Sequence, residues 1–69
     1  MTTYEVLVEI LDMNDGYFPI LDSAFENYED AYKRYKICID KGYNASIERY
    51  YIDDEYREYP TKIIKFKKN

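Results

Sequence analysis

The residues of this chain best suited to chemistry lie between Glu48 and Tyr59. Five carboxylates, Glu48, Asp53, Asp54, Glu55 and Glu58, are interleaved there with four phenols, Tyr50, Tyr51, Tyr56 and Tyr59. Clustered carboxylates suit a hard cation or acid–base work, but both need a raised pKa, a pocket or a partner group. The sequence supplies none of these, so a solvated acidic turn is the plainer reading. As a protein-binding patch the segment is more telling, because tyrosine buries much area while keeping a polar tip and is enriched at interfaces. Acids set among such rings match a surface rich in lysine and arginine. The competing reading is that some of the rings pack a sheet against a helix.

Other chemistries are excluded by composition. With no histidine there is no Ser/His/Asp triad, no Cys/His nucleophile pair and no imidazole metal ligand. The two glycines, Gly16 and Gly42, are too far apart for a P-loop or a dinucleotide fingerprint. Asp12-Met13-Asn14-Asp15-Gly16 has the wrong spacing for a calcium loop, and Ser23 stands where the bidentate glutamate belongs. Aromatic residues on a sheet also stack on single-stranded bases, but that requires basic neighbours, and the stretch from Glu48 to Glu58 is net acidic. No catalytic residue, metal or cofactor is therefore expected.

A chain of 69 residues is read as one domain, and at this size only about 60% of the unfolded chain's surface is buried on folding. Thin cores are commonly reinforced by disulfides, metals or partners. Cys38 is the single cysteine, so no intrachain bridge forms, and a reducing, cytoplasmic setting is expected. The opening residues lack the basic and apolar regions of a signal peptide. Nor does any stretch approach the roughly 18 apolar residues of a membrane span. The sequon Asn44-Ala45-Ser46 is read as the start of a strand. Residues 1–60 carry 14 acids and 6 bases, whereas residues 61–69 carry Lys62, Lys65, Lys67 and Lys68 and no acid. An acidic body repels phosphate and attracts basic protein surfaces.

The elements that must position these residues follow from periodicity. Tyr4, Val6, Val8 and Ile10 alternate with Glu5, Leu7, Glu9 and Leu11, which predicts a strand. Residues 12–16 supply turn chemistry, and a second strand follows at Tyr17–Phe25, with Pro19 favouring an edge or a bulge. A helix is predicted from Tyr28 to Lys41, with Asn27 as N-cap and Gly42 at C′. Its core face reads Tyr28, Ala31, Tyr32, Tyr35, Cys38 and Ile39, leaving Ile37 outside. Cys38 is expected to be a small buried hydrophobe, and Glu29 with Lys33 and Asp30 with Arg34 are i,i+4 pairs.

Ala45–Asp53 reads as a third strand, Asp53-Asp54-Glu55 as a turn, and part of Tyr56–Lys67 as a fourth strand. Pro60 is expected to interrupt or bulge that strand, with Ile64 and Phe66 on one face and Ile63, Lys65 and Lys67 on the other. The result is an α+β fold of ββαββ order, an antiparallel sheet with the helix on one face. Leu7, Leu11 and several tyrosines are left on the far face, for a target or a second copy to cover.

The abundance of Tyr, Ile, Lys, Asn, Asp and Glu, with few Gly, Ala, Arg or Pro, resembles the short accessory proteins of bacteriophages and mobile elements of AT-rich hosts. That resemblance implies a protein that binds and blocks a host enzyme or defence factor. The leading expectation is a non-enzymatic protein-binding module that touches neither nucleic acid nor membrane, with an inhibitor occluding a basic site of a nucleic-acid-handling or defence enzyme as its specific form. Glu48, Asp53, Asp54, Glu55 and Glu58 would supply charge, and Tyr50, Tyr51, Tyr56 and Tyr59 would be anchors. The alternatives are a structural or regulatory homo-oligomer and a small-molecule sensor.

Overall fold

The computed structural model describes residues 1–14 and 16–67, so Asp15 of the first turn and Lys68 of the basic tail lie outside the described residues. The order is β1 (Thr2–Asp12), β2 (Gly16–Phe25), α1 (Tyr28–Asp40), β3 (Asn44–Ile52) and β4 (Glu58–Lys67). All pairings are antiparallel, in the spatial order β2-β1-β3-β4, and the helix packs over β1, β2 and β3. The fold is therefore the expected α+β arrangement.

Alternation along the strands sorts residues onto two faces. Val6 and Val8 of β1 lie opposite Ile47 and Ala45 of β3, and these four are buried with Ala31, Tyr35 and Cys38 of the helix. Tyr4, Phe25, Tyr28, Ile39 and Ile64 complete that core. The other face carries Glu5, Leu7 and Glu9, paired with Glu48, Ser46 and Asn44, and Leu11, paired with Tyr17. Ser46 is buried on this face, and its hydroxyl has no hydrogen-bond partner.

The helix ends follow the sequence closely. The Asn27 carbonyl accepts the Ala31 N–H at 3.2 Å, while the Asn27 amide reaches Asp30 rather than capping a backbone group. At the other end the Gly42 N–H donates to Ile39 O and the Tyr43 N–H to Cys38 O. This is a Schellman closure, and the φ of 95° at Gly42 is the left-handed conformation that closure requires.

Four expectations are corrected. Tyr32 is 41% exposed rather than in the core, although it packs between Tyr28 and Tyr35 at centroid distances of 6.0 and 5.8 Å. Arg34 does not pair with Asp30 along the helix. A bulge between Val6 and Leu7 in the β1–β2 register makes Asp22 the extra residue, and its carboxylate accepts Arg34 Nε at 2.7 Å and Nη2 at 3.1 Å. Pro60 does not interrupt β4, because it stays in register opposite Tyr50. The irregularities fall later, between the partners of Ala45, Ile47 and Glu48. They turn Ile64 toward the core opposite Ile47, whereas Phe66 lies under the Lys62 ammonium at 5.4 Å on the open face. Ile64 and Phe66 are thus on opposite faces.

Candidate interaction surface

The acidic, tyrosine-rich segment forms the end of β3, the β3–β4 turn and the start of β4. Asp53 organises it. Its Oδ1 accepts the N–H groups of Glu55 at 2.9 Å and Arg57 at 3.0 Å, and its Oδ2 accepts Arg57 Nε at 2.9 Å and the Tyr59 hydroxyl at 3.1 Å. The backbone N–H of Arg57 leads the contacts that hold its carboxyl below the usual range for aspartate. Asp53 is thus the internal brace of the turn, and its charge is matched by Arg57. Arg57 also reaches Glu55 at 3.4 Å, a contact on an exposed surface where such pairs add little.

The Asp53 N–H donates to Arg57 O and the Tyr56 N–H to Asp53 O, closing a three-residue loop of Asp54, Glu55 and Tyr56. Loops of this kind end in a left-handed residue, a place usually filled by glycine. Here Tyr56 fills it, with φ of 62°, the one non-glycine positive φ among the described residues. Its side chain gains almost nothing from the fold, since Tyr56 is 87% exposed. A hollow of about 330 Å³ lies beside it, lined by Met1, Ile52, Asp53, Asp54 and Tyr56. The Met1 amine donates to Ile52 O and the Ile52 N–H to Met1 O, both at 2.9 Å, tying the start of β1 to this end of the sheet.

The nine residues singled out in the sequence divide into three groups. Asp53, Asp54, Glu55 and Tyr56 form the tip. Tyr51 and Tyr59 are a cross-strand pair with rings 6.2 Å apart, on the helix side of the sheet. Glu48, Tyr50 and Glu58 lie on the open side, opposite Lys62, Pro60 and Ile52 respectively. The strands thus separate in space residues that the sequence interleaves.

Sequence reasoning missed Glu5. It lies directly across from Glu48 on the open face, and burial, followed by the charges of Glu48 and Glu58, raises its carboxyl pKa. Like charges directly opposite on neighbouring strands are destabilising. The signal was present in the β1 alternation, which puts Glu5 opposite the core face, but the register needed to find Glu48 was not. Burial and the same carboxylates push the Tyr50 phenol up as well.

Comparison with family models, with curated proteins and with solved structures finds no match. The described residues contain no group of three or more potential metal-ligating side chains and no helix long and apolar enough to cross a membrane. The functional reading therefore rests on the geometry of the hairpin and of the adjoining sheet face.

Proposed function

We propose that this chain is a non-enzymatic protein-binding module that occludes a basic site on its target. In this reading the target is a nucleic-acid-handling or defence enzyme and the chain is an inhibitor of the phage-accessory kind. Tyr56 carries the proposal. A bulky ring stands where glycine would close the loop more cheaply, and it contacts little of its own fold. Strained residues at exposed positions cluster at binding sites, and tyrosine is a frequent anchor there. Asp54 and Glu55 precede it in the loop, the Arg57 that follows is held by Asp53, and Glu48, Glu58 and Glu5 continue the negative charge onto the open face. This arrangement steers a basic surface toward the tip.

A homo-oligomer built by edge pairing is disfavoured by the edges themselves. β2 carries Pro19 and a bulge, and β4 carries Pro60, two irregularities and a run of lysines, all of which hinder strand addition. Size measured in solution across concentrations is expected to give a monomer.

The decisive test is affinity capture of the tagged protein from its natural host, in three forms. The wild type should retain one stoichiometric protein in a salt-sensitive manner. Tyr56→Gly should lose it, and a variant with Glu48, Asp54, Glu55 and Glu58 changed to amides should hold it weakly and with little salt dependence. Equal retention by all three would place the interface elsewhere.

A further inference from the structure

The sheet is stepped at the end remote from the hairpin tip. The β1–β3 ladder stops at Glu9 opposite Asn44, whereas the β1–β2 ladder continues to Asp12 opposite Gly16. Beyond Glu9, β1 is thus flanked by β2 on one side and by no described strand on the other. The chain preceding β3 is turned aside by the Schellman closure of α1, which sets Gly42 and Tyr43 as the far wall. The step encloses a notch of about 560 Å³, lined with Gly42 by Glu9, Ile10, Leu11, Tyr17, Tyr43 and Asn44.

The chemistry of this lining is one-sided. Among the described residues it holds one carboxylate, half-buried Glu9, and no cationic side chain; Lys41 at the helix C-cap is exposed and is not part of it. Tyr17 is 62% exposed and offers a ring whose face attracts cations, as does the half-exposed Tyr43. The helix approaches with its C-terminal end, where the dipole is negative and the last turn holds no basic residue. Leu11, 64% exposed and on the same face as Glu9 and Tyr17, gives an aliphatic wall, and Ile10 lines the notch from the helix side of the strand. Carboxylate, rings and dipole all favour positive charge, and the aliphatic wall favours a hydrocarbon stem attached to it.

We propose that this notch binds a primary alkylammonium group, with the ammonium at Glu9 and the stem along Leu11 between Tyr17 and Tyr43. A free polyamine and a lysine side chain of a protein partner both present this group. The site is independent of the hairpin tip. Thr2 and Leu11 are nine residue steps apart along β1, and at about 3.3 Å per step the two positions are roughly 30 Å apart.

Amide chemical shifts of the full chain, titrated with n-butylammonium, spermidine and Nα-acetyl-lysine methylamide, test it. n-Butanol serves as the uncharged isostere and sodium chloride as the ionic-strength control. Saturable shifts are expected at Glu9, Leu11, Tyr17 and Tyr43 with the ammonium compounds and not with either control. Tighter binding of spermidine than of the lysine mimic assigns a free polyamine, and the reverse assigns a partner's side chain. Glu9→Gln should weaken binding at least about tenfold, as expected for loss of a charged partner, while Tyr56→Gly leaves it unchanged. If Glu9→Gln does not fold, Tyr17→Leu on the exposed wall should also weaken binding. Shifts reproduced by sodium chloride, shifts confined to the hairpin tip, or full binding by these notch variants would overturn the proposal.

Discussion

Replacing Tyr56 by glycine separates folding from binding, because the two should respond in different ways. The left-handed conformation costs an L-residue about 1–2 kcal/mol, which glycine avoids. Against that gain, glycine loses about 0.5–1 kcal/mol through its freer unfolded chain. The exposed ring contributes little. A fully buried aromatic ring covers roughly 200 Å², and Tyr56 hides about an eighth of its surface, so removal costs ~0.6 kcal/mol at about 25 cal/mol per Å². These opposing terms leave Tyr56→Gly within about 1 kcal/mol of the wild type, or about 4–8 °C in Tm for a domain of this size. Tyr56→Ala loses the ring without relieving the backbone, so it should melt below the glycine variant, an inversion of the usual order. Both variants should weaken partner binding by about 2 kcal/mol or more, roughly thirtyfold. Thermal melts followed by circular dichroism, with binding measured by calorimetry against the captured partner, give both readouts. A loss of about 3 kcal/mol or more in Tyr56→Gly, the range of a buried aromatic, would show that the ring is structural. Unchanged affinity would refute its role as an anchor.

Three further outcomes follow from the packing and the charges. Ser46→Ala removes a buried hydroxyl that lacks a partner and should stabilise the fold by about 1 kcal/mol, seen as a higher urea midpoint with an unchanged slope. Asp22→Asn should cost about 1 kcal/mol at neutral pH, a figure already discounted because Arg34 is more than a third exposed. Hydrogen bonding from Arg34 lowers the Asp22 pKa, so the wild-type advantage is fully present above the ordinary aspartate range and is lost as pH falls through the lowered value. Urea melts across the acidic range check both the size and the sign. Glu5 behaves oppositely. Its raised pKa means that ionisation opposes folding, so stability falls as pH rises from the ordinary glutamate range through the raised value. Glu5→Gln should therefore raise Tm at neutral pH and give no gain once Glu5 is protonated, and equal gains at both pH values would show that ionisation of Glu5, opposed first by burial and then by Glu48 and Glu58, is not the cause.

Much of the fold was legible in the sequence because its signals are local. The alternation at Tyr4–Leu11 identified β1 and its core face, and the Asn27 and Gly42 signals bracketed α1 to within a residue. Pro19 lies on an edge strand as its missing donor requires, and Ile37 is exposed as its helical angle demands. Within the candidate site, the turn at Asp53-Asp54-Glu55 was equally clear, since aspartate readily accepts backbone N–H groups two and four residues on.

Apart from the exposure of Tyr32 on the helix, the errors came from properties that strands acquire only through pairing. Extra residues at Asp22 and along β4 shift every following side chain to the other face, which is why Phe66 parted from Ile64 and Arg34 found Asp22. No local pattern announces such an insertion, because it is defined by the neighbouring strand. The sequence by itself determined which segments form strands and helix, the acidic body and the absence of histidine chemistry. Tertiary structure alone decided that Asp53 is braced by Arg57, that Glu5 faces Glu48, and that Tyr56 stands strained and exposed at the tip. Composition and periodicity act along the chain, whereas register, burial and backbone strain arise between segments brought together by folding.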